Sequence, residues 1–312
     1  MNNYIDFLKT SLLSFLISIL ICKFLISFLN RKKLYVVNKP ELLVKNENKS
    51  KTPGFGGISF ILTSILVTVL FSKEIDKNFF IVILAIIGFA LEGFIDDIIK
   101  LKTSNGDGIT SKQKILIEFL LSSLIAFLII KNKTGNTSPF YFVFAVCYIF
   151  YFVNSVNITD GLDGLSTGTV LPVFVLLLIL ILQVFQVENQ LFRFTLNLIF
   201  ALLGFLIYNH KTAKIFMGDL GSQALGGALA SISLILGKEF IILIAGLVLF
   251  LEFMSSLIQI IFIRYFKRKA FKIAPVHHLF EYYGVSENKI VLIWVVLSSI
   301  FSIIAYLMVR FV

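Results

Sequence analysis

The sequence predicts an all-α, polytopic integral membrane protein of about ten transmembrane helices. Three observations carry that prediction. The chain is 58% hydrophobic with a mean hydropathy of +0.94, which leaves too little polar surface to cover a soluble core of this size. Its apolar residues come in runs of bilayer length, not in amphipathic stripes. Its polar motifs all fall in alternate connections and therefore on one side of the membrane. The short alternating segments of an outer-membrane barrel are absent.

Taken in order, the apolar runs cover roughly residues 5–29, 55–71, 79–95, 113–130, 140–157, 168–186, 192–208, 217–236, 239–262 and 290–311. Polar connections at 30–54, 96–112, 158–167, 209–216 and 263–289 alternate with short, nearly featureless ones. Most of the 28 Lys and Arg lie in the polar set, which the positive-inside rule assigns to the cytoplasm, leaving both termini outside. The first run is followed by no small-residue cleavage site and reads as a retained span. No soluble domain or internal repeat is visible, so residues 1–312 read as a single transmembrane domain. Cys22 and Cys147 both lie in apolar runs and form no metal or disulfide pattern. The net charge of +10 is explained by basic cytoplasmic loops and calls for no nucleic acid.

Five motifs occupy the polar loops. The most concentrated is Asn154-Ser-Val-Asn157-Ile-Thr-Asp160-Gly-Leu-Asp163-Gly-Leu-Ser-Thr-Gly168, a polar island between two spans. Charge at membrane depth costs several kcal/mol and normally marks a site. If the stretch is helical, Asn157, Asp160 and Asp163 share one face and form an array that accepts hydrogen bonds or holds a metal; a glycine-rich turn is the plainer reading. Asp96-Asp97 with Lys100 places two repelling carboxylates at a helix end, which a divalent cation or an acid–base role would explain; a solvated helix terminus is the alternative. Glu92, one turn earlier, is a further carboxylate inside the third run.

In Tyr208-Asn209-His210 and Phe216-Met217-Gly218-Asp219-Leu-Gly221-Ser222, Gly218 and Gly221 flank a carboxylate where a helix start would aim amides at an anion. Asp219 there would hold magnesium, and Phe216 is placed to stack on a base. Lys49-Ser-Lys51-Thr-Pro53-Gly-Phe-Gly56-Gly57 combines lysines and glycines that suit a phosphate or, more simply, a basic loop before a helix-packing glycine pair. Ala274-Pro275-Val-His277-His278-Leu-Phe280-Glu281 carries two of the three histidines, as donors to a phosphate or sugar or as a surface pair without a role.

Together these motifs resemble the polyprenyl-phosphate phosphoglycosyl transferases, from about Lys49 to Lys289. Within them the versions at Lys51-Thr-Pro53, Asp97-Ile-Ile-Lys100 and Ala274 to Glu281, with Glu252, Ser255 and Gln259 in the ninth run, are similar to those of the phospho-N-acetylmuramoyl-pentapeptide transferase family. Leu279 and Gly54 depart from its pattern. The resemblance implies a cytoplasmic-face active-site cleft and transfer of phospho-MurNAc-pentapeptide from UDP-MurNAc-pentapeptide to undecaprenyl phosphate, giving lipid I and UMP with Mg2+, at the bacterial inner membrane in peptidoglycan biosynthesis. It implies Asp219 as metal ligand, Asp96 and Asp97 as catalytic groups serving lipid phosphate and metal, and a uridine and diphosphate site formed by Asn157, Asp160, Asp163, Asn209, Phe216 and Gly218. Lys49, Lys100, His277 and His278 complete the implied substrate-binding set. Two other readings stay open from the residues alone: a sibling using UDP-N-acetylglucosamine, and a transporter of an anionic solute. Membrane lipid is a partner in every case, and a homodimer is one option for assembly.

Overall fold

The computed structural model describes residues 2–35, 52–72, 74–103, 106–133, 138–185 and 189–311. Among these the chain forms twelve α-helices and no strand. They are α1 (Asn2–Lys32), α2 (Gly57–Leu70), α3 (Lys77–Lys102), α4 (Ser111–Asn132), α5 (Pro139–Thr159), α6 (Leu165–Phe185), α7 (Gln190–Asn209), α8 (Gly218–Leu236), α9 (Glu239–Ala245), α10 (Leu247–Phe266), α11 (Val276–Tyr282) and α12 (Glu287–Phe311). Nine of the described helices are long and apolar enough to cross a membrane. The fold is that of a multi-pass membrane protein.

The bundle is built around α8. In its most apolar stretch 89% of the residues are buried, against 22% for α1 and α10. Gly221, Ala224, Gly226, Gly227, Ala228 and Ala230 make α8 thin, so α3 and α5 pack directly against it. In lipid, where burying apolar surface gains nothing, such close backbone packing is the main source of helix association. The outer helices turn Leu16, Leu20, Phe24, Phe119, Phe127, Ile260 and Ile303 outward, the inverse of a soluble surface. Side-chain caps set several helix starts: Asp76 accepts from Phe79 N, Ser138 from Tyr141 N and Asn189 from Phe192 N, each worth about 1 kcal/mol.

The loops meet in two separate sets, one at each end of the bundle. At one end Asp76 N donates to Gln190 Oε1 (2.8 Å), Asn132 to Asn78 (2.7 Å) and Tyr141 to Glu239. At the other end the loops that carry the motifs touch one another, as detailed below. The sequence expectation of one motif-bearing face therefore has its structural counterpart.

Two expected spans come out differently. The run 239–262 is not one helix but α9 and α10, separated at Gly246. A Cβ there would lie 3.1 Å from both Ile242 O and the Phe152 ring, so the break is packed around a residue without a side chain. The run 55–71 yields only the 14 residues of α2, because the residues before Gly57 leave the helical path to pair with residues 213–217 in the site.

Candidate active site

Four charged side chains from three helices converge at the motif-bearing end. Asp96 and Lys100 stand one turn apart on α3, with Lys100 Nζ 2.7 Å from Asp96 Oδ2. Lys100 also donates to Asp219 Oδ2 at 3.0 Å, and Lys114 donates to the same oxygen at 2.8 Å while lying 3.7 Å from Asp96 Oδ2. Lys114 enters on the first turn of α4, whose start is set by the reciprocal Thr110–Gln113 capping box. The other Asp96 oxygen accepts from Ile109 N at 2.6 Å, so the α3–α4 loop is folded back onto it. Asp96 is almost wholly buried, whereas Lys100 and Asp219 keep an open side.

Asp97 points elsewhere. Its two oxygens accept from Asp219 N (3.3 Å) and Leu220 N (3.2 Å), closing the N-terminus of α8 with a negative charge. The amides that could have held an anion at this helix start are thus engaged by the chain itself. Gly218 makes the turn possible: its φ is +76°, and a Cβ on it would stand 2.6 Å from Asp97 Oδ2. Gly57 and Met217, then Gly56 and Phe216, pair through backbone hydrogen bonds of 3.0 and 2.8 Å. This anchors Phe216, whose ring stays half-exposed at the rim.

The opposite wall comes from α5 and the turn after it. Asn157 donates to Ser222 Oγ on α8 at 3.0 Å. The expected helical face shared with Asp160 and Asp163 does not form, because α5 ends at Thr159 and residues 160–164 make a turn with Gly164 at φ +76°. Asp160 remains close to the cluster, and burial and then the charges of Asp219, Asp97 and Asp163 push its carboxyl up to about 8. Asp163 is drawn away to brace the wall: its Oδ2 accepts from Ala213 N at 2.9 Å, and its own amide donates to Glu287 on α12 at 2.8 Å. Asn209 is likewise buried and donates to Ile215 O at 3.0 Å, shaping the 210–217 loop from inside. Lys49 lies outside the described residues. Thr52, the next described residue, reaches Ala213 O at 3.4 Å.

The histidines close the third side. His277 is fully buried, so the reading of a surface pair fails for it. Its Nδ1 lies 2.9 Å from Glu252 Oε2, and its backbone amide donates to Glu252 Oε1 at 3.2 Å. Trp294 Nε1 donates to that same Oε1. A Cβ added to Gly161 would be 2.3 Å from His277 Nε2, so the imidazole lies directly on the Asp160–Gly161 turn. His278 is half-buried, with Nδ1 2.6 Å from Glu281. Gln259 holds the loop before α11 through Ala270 N, Phe271 N and Phe271 O at 3.0, 2.9 and 3.1 Å.

Comparison with known proteins gives the family. Residues 79–237 match the model of glycosyl transferase family 4. A phospho-N-acetylmuramoyl-pentapeptide-transferase of Clostridium acetobutylicum is 34% identical over 308 residues, covering 95% of this chain and 96% of the relative. Those of Staphylococcus saprophyticus (37%, covering 91% and 93%) and Lactobacillus gasseri (34%, covering 93% and 95%) are similarly close. The chain belongs to the phospho-N-acetylmuramoyl-pentapeptide-transferase family.

In this phospho-N-acetylmuramoyl-pentapeptide-transferase family member Asp96, Lys100, Lys114 and Asp219 meet directly, Asp160 lies within electrostatic reach of Asp219, and His277 lies on the turn that carries Asp160. Asp97, Asp163 and Asn209 act instead through the backbone of neighbouring loops. Sequence reasoning did not single out Lys114 as a site residue, although a lysine just inside an apolar run was a usable signal. Trp294 was missed too; nothing in its apolar surroundings marked it.

Proposed function

We propose that the chain transfers phospho-MurNAc-pentapeptide from UDP-MurNAc-pentapeptide to undecaprenyl phosphate, forming lipid I and UMP at the cytoplasmic face of the bacterial inner membrane. The observation that carries the reading is the Asp96–Lys100–Lys114–Asp219 cluster at the end of an otherwise apolar bundle. Phosphoryl transfer needs little covalent chemistry from the protein and much charge neutralisation and alignment. The cluster supplies both signs of charge at the depth where a lipid phosphate would meet a soluble nucleotide. The basic loops at this end favour the cytoplasmic assignment.

Asp96 and Asp219 offer carboxylate oxygens of the hard kind that magnesium takes, now held by Lys100 and Lys114, which would have to release them. Asp219 would be the principal ligand. The ion would supply Lewis-acid neutralisation of the diphosphate and of departing UMP. The chain's own groups do the rest. Lys100 and Lys114 would turn from the carboxylates to the diphosphate oxygens. Asp96 would take any proton left on the lipid phosphate, whose oxygen attacks the sugar-linked phosphorus as the bond to UMP breaks. Phe216 would stack on the uracil, Asn157 and Asp160 would hydrogen-bond the nucleotide, and His277 and His278 would approach the donor from the α11 side.

UMP release by the purified protein with undecaprenyl phosphate and magnesium tests this, with UDP-MurNAc-pentapeptide and UDP-N-acetylglucosamine offered side by side. Turnover is expected with the former alone. Turnover with only the latter would keep the chemistry and overturn the donor. Gly161→Ala tests the histidine wall, since its methyl group must displace His277. A fall in kcat/KM for the nucleotide donor of about 100-fold is expected, and unchanged kinetics would remove His277 from the donor site.

A further inference from the structure

We propose that a second polar layer, one helical turn deeper in the bundle than the catalytic cluster, binds a hard cation. Each of four helices repeats the same step. On α3 Glu92 precedes Asp96 by one turn, and on α4 Glu118 and then Ser122 follow Lys114. On α5 Asn154 precedes Asn157, and on α8 Gln223 follows Asp219. The packing puts Glu92, Glu118, Asn154 and Gln223 near one level, with Ser122 one turn deeper. Gly93 lies against the backbone of Asp219 and Gly227 lies against the ring of Phe89, so Gln223, midway between Asp219 and Gly227, lies on the stripe of α8 that faces α3, between the levels of Gly93 and Phe89. Glu92 and Glu118 are within electrostatic reach of each other and of Lys114. Asn154 crosses to Glu118 Oε2 at 2.7 Å.

This is more than a group of acids. Glu92 is 3% exposed, Glu118 1%, and Ser122 and Gln223 0%. Yet Glu92 Oε1 and Oε2, Glu118 Oε1, Ser122 Oγ, and both amide atoms of Gln223 have no protein partner among the described residues. Buried polar atoms are nearly always paired, and exceptions call for a bound water or ion. The chemistry of the set favours the ion. Oxygens outnumber the single unpartnered nitrogen, Gln223 Nε2. Glu118 Oε2 already accepts from Asn154, which leaves Oε1 as its unpartnered oxygen. A single proton, shared between Glu92 and Glu118 Oε1, would satisfy only part of this set, whereas one ion can bind several of its oxygens at once. Two carboxylates, an amide oxygen and a hydroxyl suit an oxygen-preferring ion such as magnesium, manganese or sodium.

The inference does not rest on Asp219 holding magnesium, and the experiment keeps the two apart. The full chain in lipid nanodiscs carries Asp219→Asn throughout, and bound Mn2+ is counted by loss of the free six-line EPR signal. Thermal unfolding midpoints are recorded with Na+ or K+. Asp219→Asn is expected to retain one Mn2+ or a Na+-dependent rise in midpoint, and Asp219→Asn/Glu92→Gln/Glu118→Gln to lose it. Equal binding by the two proteins, or no response of the first to either Mn2+ or Na+, overturns the proposal. Should the triple variant elute as an aggregate, Asp219→Asn/Gln223→Leu keeps both carboxylates, and its cation affinity is expected to fall several-fold. An unchanged affinity there counts against the site equally.

Discussion

Asp219→Asn is expected to abolish UMP release, a loss of about a thousandfold or more, in a protein that still inserts and elutes as a single species. The substitution keeps shape and removes the charge that Lys100 and Lys114 both address. The α8 start remains closed, because it is the backbone of residue 219, not its side chain, that meets Asp97. Loss of fold is therefore not the expected cause. Wild-type-like turnover in purified Asp219→Asn would remove both the metal role and the lysine-positioning role at once.

Glu252→Ala is expected to have the largest combined effect on stability and activity. Glu252 is fully buried and receives three donors: the His277 amide, Trp294 Nε1 and His277 Nδ1. Because a carboxylate only accepts, His277 must carry its proton on Nδ1, leaving Nε2 toward Gly161. Removing the acceptor strands those donors, for a loss of about 3 kcal/mol or more, read as a lower unfolding midpoint. UMP release should drop as well, even well below that midpoint. Glu252→Gln separates the two effects. It keeps volume and one acceptor but sets an amide N–H against Nδ1, which drives the imidazole to the other tautomer. A stable Glu252→Gln protein with unaltered kcat/KM for the nucleotide donor would show that Glu252 serves stability alone.

The membrane fold was legible because lipid imposes one rule on every spanning segment, and runs of apolar residues record it directly. The motif loops were legible because glycines and carboxylates between such runs have few other uses. What escaped depended on contacts distant in sequence. The break at Gly246 follows from the Phe152 ring of another helix. The diversion of Asp97 to the α8 amides required knowing that α3 and α8 lie side by side, which no local pattern encodes. The same holds for Asp163, whose spacing from Asp160 suits a helix until Ala213 N, fifty residues away, competes for it. Lys114 hid in plain view at a span boundary, where a basic residue ordinarily needs no reason.

The ring made by Asp96, Lys100, Asp219 and Lys114 holds two negative and two positive charges and is neutral as a whole. An incoming phosphate has to win an ammonium from a carboxylate, and an incoming divalent ion has to win a carboxylate from an ammonium. Either guest alone leaves one internal counterion without its partner. Arriving together, they exchange partners pairwise and strand nothing. Nucleotide and metal would therefore tighten each other's binding by the same factor, as linkage requires, and the protein would stay closed on itself until both are present.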